Sequence, residues 1–265
     1  MSNKKTSGGF SFIVSFLAIA ICMGLGVFIY MVILGNPNNF DAEGHPKAGN
    51  FLGIMYKGGF IVPILLGVFL TVLTFAIERF LTIQKASGRG QTEKFVAKIK
   101  ALIASHDLDG AIAECDKQKG SLANVVHEGL MKYRFVANDS AMDKEAKVAA
   151  IQKAIEEATA LELPMLSKNM VIISTCASIG TLVGLIGTVV GMIRAFGALA
   201  SAGTPDTSAL ATGISEALVN TLVGILSSAL AIIFYNLFSN RVDQLTYAMD
   251  EAGFSIIQEF QSSGK

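Results

Sequence analysis

The chain has 265 residues, of which 52% are hydrophobic and 16% are charged, well below the roughly 25% charged residues of soluble domains. Its 21 basic and 21 acidic residues balance, so no excess of positive charge indicates a nucleic-acid partner. The mean hydropathy is positive, and this composition predicts a membrane protein.

The residue types that usually build metal or catalytic sites are scattered along the chain. Cys22, Cys115 and Cys176 lie far apart without CxxC spacing, which favours small core residues over a disulfide or a metal site. The three histidines show no metal-ligand spacing, and the sequence has neither a phosphate loop nor a GxSxG elbow. We therefore expect no enzyme activity, no cofactor and no bound metal.

Four apolar runs approach or exceed the roughly 20 residues that a helix needs to cross a bilayer. They are residues 10–34, 58–77, 169–193 and 208–237, the last interrupted near its start by Glu216. Backbone polar groups in lipid must be satisfied within their own segment, so each run is predicted to be helical. The predicted fold class is an all-α integral membrane protein with four transmembrane helices.

The first run has a second interpretation. Lys4 and Lys5 precede it, as basic residues precede the core of a secretory signal peptide. However, the run is longer than the roughly 7–15 residues of a signal core, and no clear A-x-A cleavage site follows it. A retained transmembrane helix is the favoured interpretation.

Basic residues predict the orientation, because cytoplasmic loops are enriched in lysine and arginine. The N-terminal tail and the segment 84–164 are rich in them. The loop 36–57 has only two lysines, and the loop 200–207 has none. We expect both termini and the segment 84–164 to be cytoplasmic, with two short periplasmic loops.

The segment between the second and third runs is predicted to be a cytoplasmic helical bundle into which the long helices extend. Phe95, Ile99, Leu102 and Ile103 have helical spacing. Asp109 then stands where an N-cap would precede the next helix.

Two further helices are predicted in this segment. Residues 121–133 form an amphipathic stretch. Asp139 or Ser140 is predicted to cap another helix that starts near Ala141. No turn signal follows, so this helix is expected to run on into the third transmembrane run and to bend near Pro164.

Small residues recur in the third and fourth runs at spacings of three, four and seven residues, which include several small-xxx-small pairs. This spacing lets helix backbones approach closely in lipid and predicts a packed hairpin. The residues are Gly180, Gly184, Gly187 and Gly191 in the third run and Gly213, Ala217, Gly224 and Ser228 in the fourth.

Polar residues in the same two runs are the functional candidates. Glu216, Asn220 and Ser227 fall on one helical stripe, with Thr221 at its flank. Ionisable residues within a span indicate function by default. In an antiparallel hairpin turning near Thr204, Thr188 and Thr221 lie sixteen and seventeen residues from the turn. Their levels then differ by about 1.5 Å, although a lone hydroxyl can also simply bond its own helix.

These residues carry a resemblance to a known family. Two stretches resemble the hairpin of the ExbB/TolQ/MotA proton-channel family, namely residues 184–196, GLIGTVVGMIRAF, and residues 213–221, GISEALVNT. Within that family, the resemblance is to the ExbB branch. Glu78-Arg79 and Tyr235-Asn236 match as well. The resemblance covers roughly residues 58–240 and is specific in the hairpin; the helix of residues 10–34 is extra relative to the common three-span form.

The resemblance implies a function and a set of partners. Family members form a homo-oligomeric ring, a pentamer, around single-span ExbD partners whose membrane aspartate carries H⁺. The complex thereby converts proton motive force into mechanical work on TonB, which drives outer-membrane transport. The ring lies in the inner membrane, whose lipids can fill gaps in it. By position, Thr188, Glu216 and Thr221 match the family's polar pore residues, and Asn220 is assigned to the same ion pathway. TolQ, flagellar and gliding motors remain alternatives within the family.

The resulting domain organisation has five parts. They are an N-terminal tail with the extra helix and a periplasmic loop at 1–57, a transmembrane helix at 58–83, a cytoplasmic helical region at 84–167, the transmembrane hairpin at 168–240, and a cytoplasmic C-terminal helix at 241–265.

Arg194 departs from the pattern of many family members, which have a neutral residue there. In the hairpin register it lies ten residues before the turn, and Glu216 lies twelve after it, so the two can form an ion pair at an offset of about 3 Å. Such a buried pair would make Glu216 a poor proton carrier. Alternatively, Arg194 extends to the outer headgroups.

A different class of function is a secondary transporter that binds substrate at Glu216 and Asn220, or a self-contained ion channel. Internal repeats would favour a transporter, and the sequence shows none.

Overall fold

The computed structural model describes residues 7–139, 141–201 and 207–263. Within these ranges the chain is helical, and its β-type pairing is a single bridge between Phe40 and Pro46. The predicted all-α fold is confirmed.

Nine α-helices make up most of the described residues. They are α1 Ser7–Phe28, which continues as the π-helix Ile29–Leu34, α2 Phe51–Tyr56, α3 Val62–Ala86, α4 Thr92–Ala104, α5 Leu108–Gln118, α6 Gly120–Ala137, α7 Lys144–Ser167, α8 Met170–Ser201 and α9 Thr207–Ser262. Short 3₁₀ turns occupy Pro37–Asn39 and Gly59–Ile61.

Four helical stretches of the described chain are long and apolar enough to cross a membrane, which confirms the four predicted spans. They are Ile13–Leu34, Gly59–Ala86, Lys144–Ala198 and Leu210–Ser262. The third stretch includes the two-residue interruption between α7 and α8. Helix α9 has 56 residues, far more than the roughly 20 that a crossing needs. It continues through position 240, so the predicted boundary between 240 and 241 falls within one helix.

The prediction of one uninterrupted helix from Ala141 into the third span was wrong. Helix α7 ends at Ser167 and α8 begins at Met170. Pro164 lies inside α7, and the interruption falls at Asn169, which has φ +61°. A residue in the left-handed region ends a right-handed helix, so the helix is interrupted five residues after the proline.

Two predicted N-caps were also wrong. Asp107, not Asp109, caps α5 by accepting a backbone N–H three residues later at 2.8 Å. Asp143 caps α7 in the same way at 2.7 Å. Asp139 instead closes a tight turn by accepting the N–H two residues later, and Ser140 lies outside the described residues.

The described residues fall into two compact units. The first comprises Met1–Ile77 and Val171–Tyr235, and the second comprises Glu78–Met170 and Asn236–Lys265.

In the first unit, the extra N-terminal helix packs on α3 through small residues. A Cβ atom at Gly26 would lie 2.6 Å from the backbone N of Gly67 and 2.6 Å from the carbonyl O of Pro63. Nearby, Cys22 Sγ and Thr74 Oγ1 are 3.4 Å apart. Backbones this close are typical of helix pairs in lipid, where van der Waals packing drives association.

The loop after the extra helix is folded rather than extended. Asn39 is buried, and its Nδ2 donates to the carbonyls of Ile33 and Leu34 at 2.8 and 2.9 Å, which satisfies the end of the π-helix. The rings of Tyr30 and Tyr56 stack at 4.7 Å. The loop is thereby fixed to the end of its own helix.

This loop and the neighbouring helices share one apolar cluster. Leu34 and Ile61 are buried in it together with Val219 and Val223 of α9. At the loop's surface, the backbone N–H of His45 lowers the pKa of the Asp41 carboxyl by hydrogen bonding.

The Gly26 crossing gives a first testable prediction. Replacing Gly26 with alanine is expected to destabilise the chain by about 1–3 kcal/mol, because the added methyl group meets backbone atoms that cannot move aside. The matched control is G24A in the same helix, where nothing lies within 4 Å of the added Cβ. Thermal unfolding in detergent measures both, and equal melting temperatures for the two variants would contradict the observed crossing.

In the second unit, helices α4 to α7 pack with the end of α9 around a continuous apolar core. Its fully buried members include Ile99, Ile103, Leu122, Leu130, Ile151, Ile256 and Phe260. The ring of Tyr133 meets that of Phe260 edge-on at 4.8 Å, and Lys100 Nζ binds Glu251 Oε1 at 2.6 Å.

The three cysteines are buried, and none of them forms a disulfide bond within the described residues. Burial raises the pKa of the Cys115 thiol to about 12, so this thiol stays protonated at neutral pH and is chemically inert.

Candidate functional site: a glycine-packed hairpin

Helices α8 and α9 pack against each other through their glycines. A Cβ at Gly184 would lie 3.2 Å from Gly224 Cα, and one at Gly191 would lie 2.9 Å from the carbonyl O of Gly213. A Cβ at Gly224 would lie 2.7 Å from the carbonyl O of Gly180. These contacts leave no room for a side chain between the two backbones.

Gly187 and two hydroxyl residues complete the contact. A Cβ at Gly187 would meet the side chain of Asn220. Thr181 Oγ1 and Ser228 Oγ lie 2.9 Å apart across the hairpin. No sequence pattern indicates that these two hydroxyls pair, although both polar residues lie within apolar runs.

The glycine contacts fix an antiparallel register. Gly184 lies opposite Asn220 and Gly224. Gly187 also meets Asn220. Thr188 and Thr221 each follow one of these two residues, so the threonines lie within one helical turn of each other. The predicted turn near Thr204 lies outside the described residues.

The two threonine side chains are half-buried, and each bonds its own helix. Thr188 Oγ1 donates to the carbonyl of Leu185 at 2.6 Å, and Thr221 Oγ1 donates to that of Ala217 at 3.3 Å. Each oxygen keeps lone-pair capacity for a further partner.

An exposed apolar face runs along α8 beside Thr188. Val189, Met192, Ile193 and Phe196 form the rest of its lining, and all but Met192 are exposed. The hydroxyl of Thr188 therefore lies at the edge of a surface that is otherwise hydrocarbon.

The structure brings Arg194 and Glu216 together. Arg194 Nη1 is 2.7 Å from Glu216 Oε1, and the side chains are 51% and 9% exposed. The guanidinium carbon of Arg194 also lies 5.3 Å above the ring centre of Phe60, within the range of a cation–π contact. The ion pair is therefore buried at the carboxylate end and open at the guanidinium end.

A glycine before α3 makes room for this carboxylate. Gly59 has φ +77°, and a Cβ there would collide with Glu216 Oε1. A side chain at position 59 would thus meet both backbone strain and the carboxylate. Sequence reasoning missed Gly59 and Phe60, because neither lies in the hairpin.

Asn220 is fully buried, and neither Nδ2 nor Oδ1 has a hydrogen-bond partner among the described residues. Ser227, further along the same stripe, is also fully buried and donates to the carbonyl of Val223 at 2.8 Å. A pore lined by the outer surface of the hairpin would not meet the Asn220 side chain. The four residues assigned to the ion pathway therefore divide into a half-exposed pair, Thr188 and Thr221, and an interior pair, Glu216 and Asn220.

Residues 117–251 match the sequence model of the MotA/TolQ/ExbB proton channel family. The match covers just over half of the chain, including the whole hairpin. The chain belongs to this family.

Individual relatives carry the names of two branches of the family. A biopolymer transport protein ExbB of Pseudomonas putida is 28% identical over 209 residues, which is 77% of this chain and 61% of that protein. A Tol-Pal system protein TolQ of Haemophilus influenzae is 24% identical over 220 residues, which is 80% of this chain and 92% of that protein. A putative ExbB-like protein of Synechocystis is 36% identical over 87 residues, which is 32% of this chain and 41% of that protein. The chain thus spans between about two fifths and three fifths of the length of the two relatives named ExbB or ExbB-like.

Proposed function

We propose that this chain is a proton-channel motor subunit of the bacterial inner membrane, of the ExbB type. Together with an ExbD-like single-span protein it would convert proton motive force into mechanical work on a TonB-like protein that drives outer-membrane transport. Membership of the proton channel family and the four helices that can span a membrane support this proposal.

The observation that carries the proposal is that Thr188 and Thr221 lie within one helical turn of each other, with Thr188 on the exposed apolar face of α8. Hydroxyls in such a surface can hydrogen-bond a carboxyl group, but they do not titrate near neutral pH. The interior acid Glu216 is already paired with Arg194. The proton carrier is therefore expected on a partner helix, as an intramembrane aspartate docked beside the two threonines.

The proposed assembly follows the family resemblance. The chain would form a homopentameric ring around the partner helices, with membrane lipids filling gaps between subunits. The distribution of lysine and arginine supports cytoplasmic termini and a cytoplasmic segment 84–164.

The test removes both hydroxyls while keeping side-chain shape. The T188V/T221V variant is expected to lower receptor-dependent uptake across the outer membrane by at least about tenfold, because a carboxyl in the pathway loses its hydrogen-bond partners. Uptake is measured in cells that lack the wild-type gene, at matched levels of the membrane protein.

T212V is the matched control for this experiment. Thr212 also lies in α9 and bonds its own helix, with Oγ1 2.9 Å from the carbonyl of Ser208, but its side chain is exposed. Its uptake is expected to equal that of the wild type. Wild-type uptake by T188V/T221V itself would exclude a role for the two threonines in proton passage.

A TolQ-type function is the second candidate. It is supported by the match to 92% of the length of the Haemophilus influenzae TolQ. Purification of the tagged chain from native membranes, with mass spectrometry of the co-purifying proteins, separates the two. A TonB-like protein indicates the ExbB type, and a TolA-like protein indicates the TolQ type.

A further inference from the structure

Asn220 is the one described residue whose side-chain amide is fully buried with both polar atoms unpartnered. Burying an amide without hydrogen bonds carries its full desolvation cost, and a leucine of similar volume would avoid that cost. Its contact with Gly187 leaves no room beside it on α8. The packing around Asn220 thus holds an unused donor and an unused acceptor inside the hairpin.

One side chain is placed to use them. Glu216 lies four residues before Asn220, one helical turn away on the same face of α9, where side chains of a helix touch. In the structure Glu216 points instead to Arg194 and to the space left by Gly59. A carboxylate leaves an ion pair readily only when it loses its charge.

We propose that Asn220 is a positioning residue that receives the protonated side chain of Glu216. Glu216 then has two positions: the one on Arg194 that the structure shows, which the ionised carboxylate takes in this scheme, and one on Asn220, which the neutral carboxyl takes. A protonated carboxyl has one donor and one acceptor, which match the Oδ1 and Nδ2 of Asn220.

The exchange needs only a proton from water. The proton binds one carboxylate oxygen, and the hydrogen bond from Arg194 Nη1 to Oε1 breaks. The new O–H donates to Asn220 Oδ1, while the carbonyl oxygen of the carboxyl accepts from Nδ2. Loss of the proton reverses each step, and no other reactant takes part.

The groups around Glu216 suit such an exchange. Arg194 faces it from α8, and the phenol of Tyr30 is close enough to interact with its charge from the π-helix. The turn before α3 contributes Gly59 and Phe60, neither of which titrates. When Glu216 moves away, Arg194 keeps its contact with the Phe60 ring, and its side chain remains half-exposed. Its charge is therefore not buried without a partner.

The experiment uses E216Q as a permanent mimic of the neutral carboxyl. The full chain is purified and its structure determined by electron cryomicroscopy in lipid nanodiscs. The side-chain amide at position 216 is expected to lie within hydrogen-bonding distance of Asn220. An amide that stays on Arg194, with Asn220 still unpartnered, would overturn the proposal.

Thermal unfolding gives an independent readout that a merely structural role would not produce. N220L is expected to raise the melting temperature of the wild-type chain by about 2–4 °C, because an unsatisfied amide is removed. In the E216Q background the same substitution is expected to lower it by a similar amount, because a hydrogen-bond partner is removed. Effects of the same sign in both backgrounds would refute the two-position scheme.

S227A is the matched control on the same buried stripe. Ser227 bonds its own helix, so S227A is expected to shift the melting temperature equally in both backgrounds. These measurements need neither a partner protein nor an uptake assay. A failure of the two-position scheme is therefore distinguishable from a failure of the proposed motor function.

Discussion

Replacing Arg79 with leucine is expected to lower the free energy of unfolding by an amount on the order of 3 kcal/mol, because the Glu78 carboxylate loses two charged hydrogen bonds. Arg79 is 1% exposed, the least exposed charged side chain described. Its Nε donates to Glu78 Oε2 at 2.6 Å, and its Nη2 donates to Oε1 of the same carboxylate. Leucine would keep the apolar stem and lose both bonds.

Arg79 also completes the end of another helix. Its Nη1 lies 3.3 Å from the carbonyl of Met165 and 3.4 Å from that of Leu166, in the last turn of α7. No further helical turn follows to donate to these carbonyls, because the helix is interrupted at Asn169. The Nδ2 of Asn169 donates to Glu78 Oε2 at 3.3 Å. An arginine at a helix C-terminus satisfies such groups and offsets the negative end of the helix dipole.

The expected fall in melting temperature for R79L is on the order of 10 °C, measured by thermal unfolding of the purified chain in detergent. R134L is the matched control, since Arg134 forms an exposed pair with Asp109 at 3.1 Å, with the side chains 45% and 87% exposed. Exposed pairs contribute about 0–1 kcal/mol. If the two variants had the same melting temperature, the hydrogen bonds of Arg79 would contribute no more to stability than a surface ion pair.

The four spans followed from the sequence because the length and apolarity of a run are local properties. The α7–α8 break did not follow, since the sequence pointed to Pro164. A proline near the end of a helix is compatible with continued helical geometry around it, whereas the left-handed conformation of Asn169 depends on the contacts of its side chain with Glu78.

The misplaced cap of α5 has a similar cause. Asp107 and Asp109 are both suitable capping residues, and sequence alone does not choose between them. The choice is made by His106, whose φ of +59° ends the preceding turn and places the next residue outside the helix. Positive φ at a non-glycine residue is uncommon and is set by the surrounding packing.

In the hairpin, the pattern placed Glu216 and Asn220 on one stripe but did not indicate which way the stripe faces. That direction depends on the buried cluster of Leu34, Ile61, Val219 and Val223. Val219 and Val223 flank the stripe on α9, and their packing keeps the stripe in the interior. Leu34 belongs to the extra N-terminal helix, so the hairpin sequence alone does not specify this part of the packing, whereas the contact of Asn220 with Gly187 lies within the hairpin. The burial of Asn220 is therefore a tertiary property.

Replacing Gly224 with valine is expected to destabilise the hairpin by more than about 3 kcal/mol, because small-to-large changes at a tight contact force backbones apart. A Cβ at this position would lie 2.7 Å from the carbonyl O of Gly180 and 2.9 Å from Gly184 Cα. The matched control is G197V in α8, where nothing lies within 4 Å of the added Cβ. Valine and glycine differ little in helix propensity, so the control is expected to stay within about 0.5 kcal/mol of the wild type.

Unfolding of both variants in mixed detergent micelles, followed by circular dichroism, measures the difference, and equal unfolding curves would contradict close packing at this crossing. No compensating change is available to G224V on α8, because the atoms it meets belong to residues that are already glycine. The two helices can relax only by separating. Separation also increases the distance between Thr188 and Thr221, so receptor-dependent uptake is expected to fall even in the fraction of G224V that reaches the membrane folded.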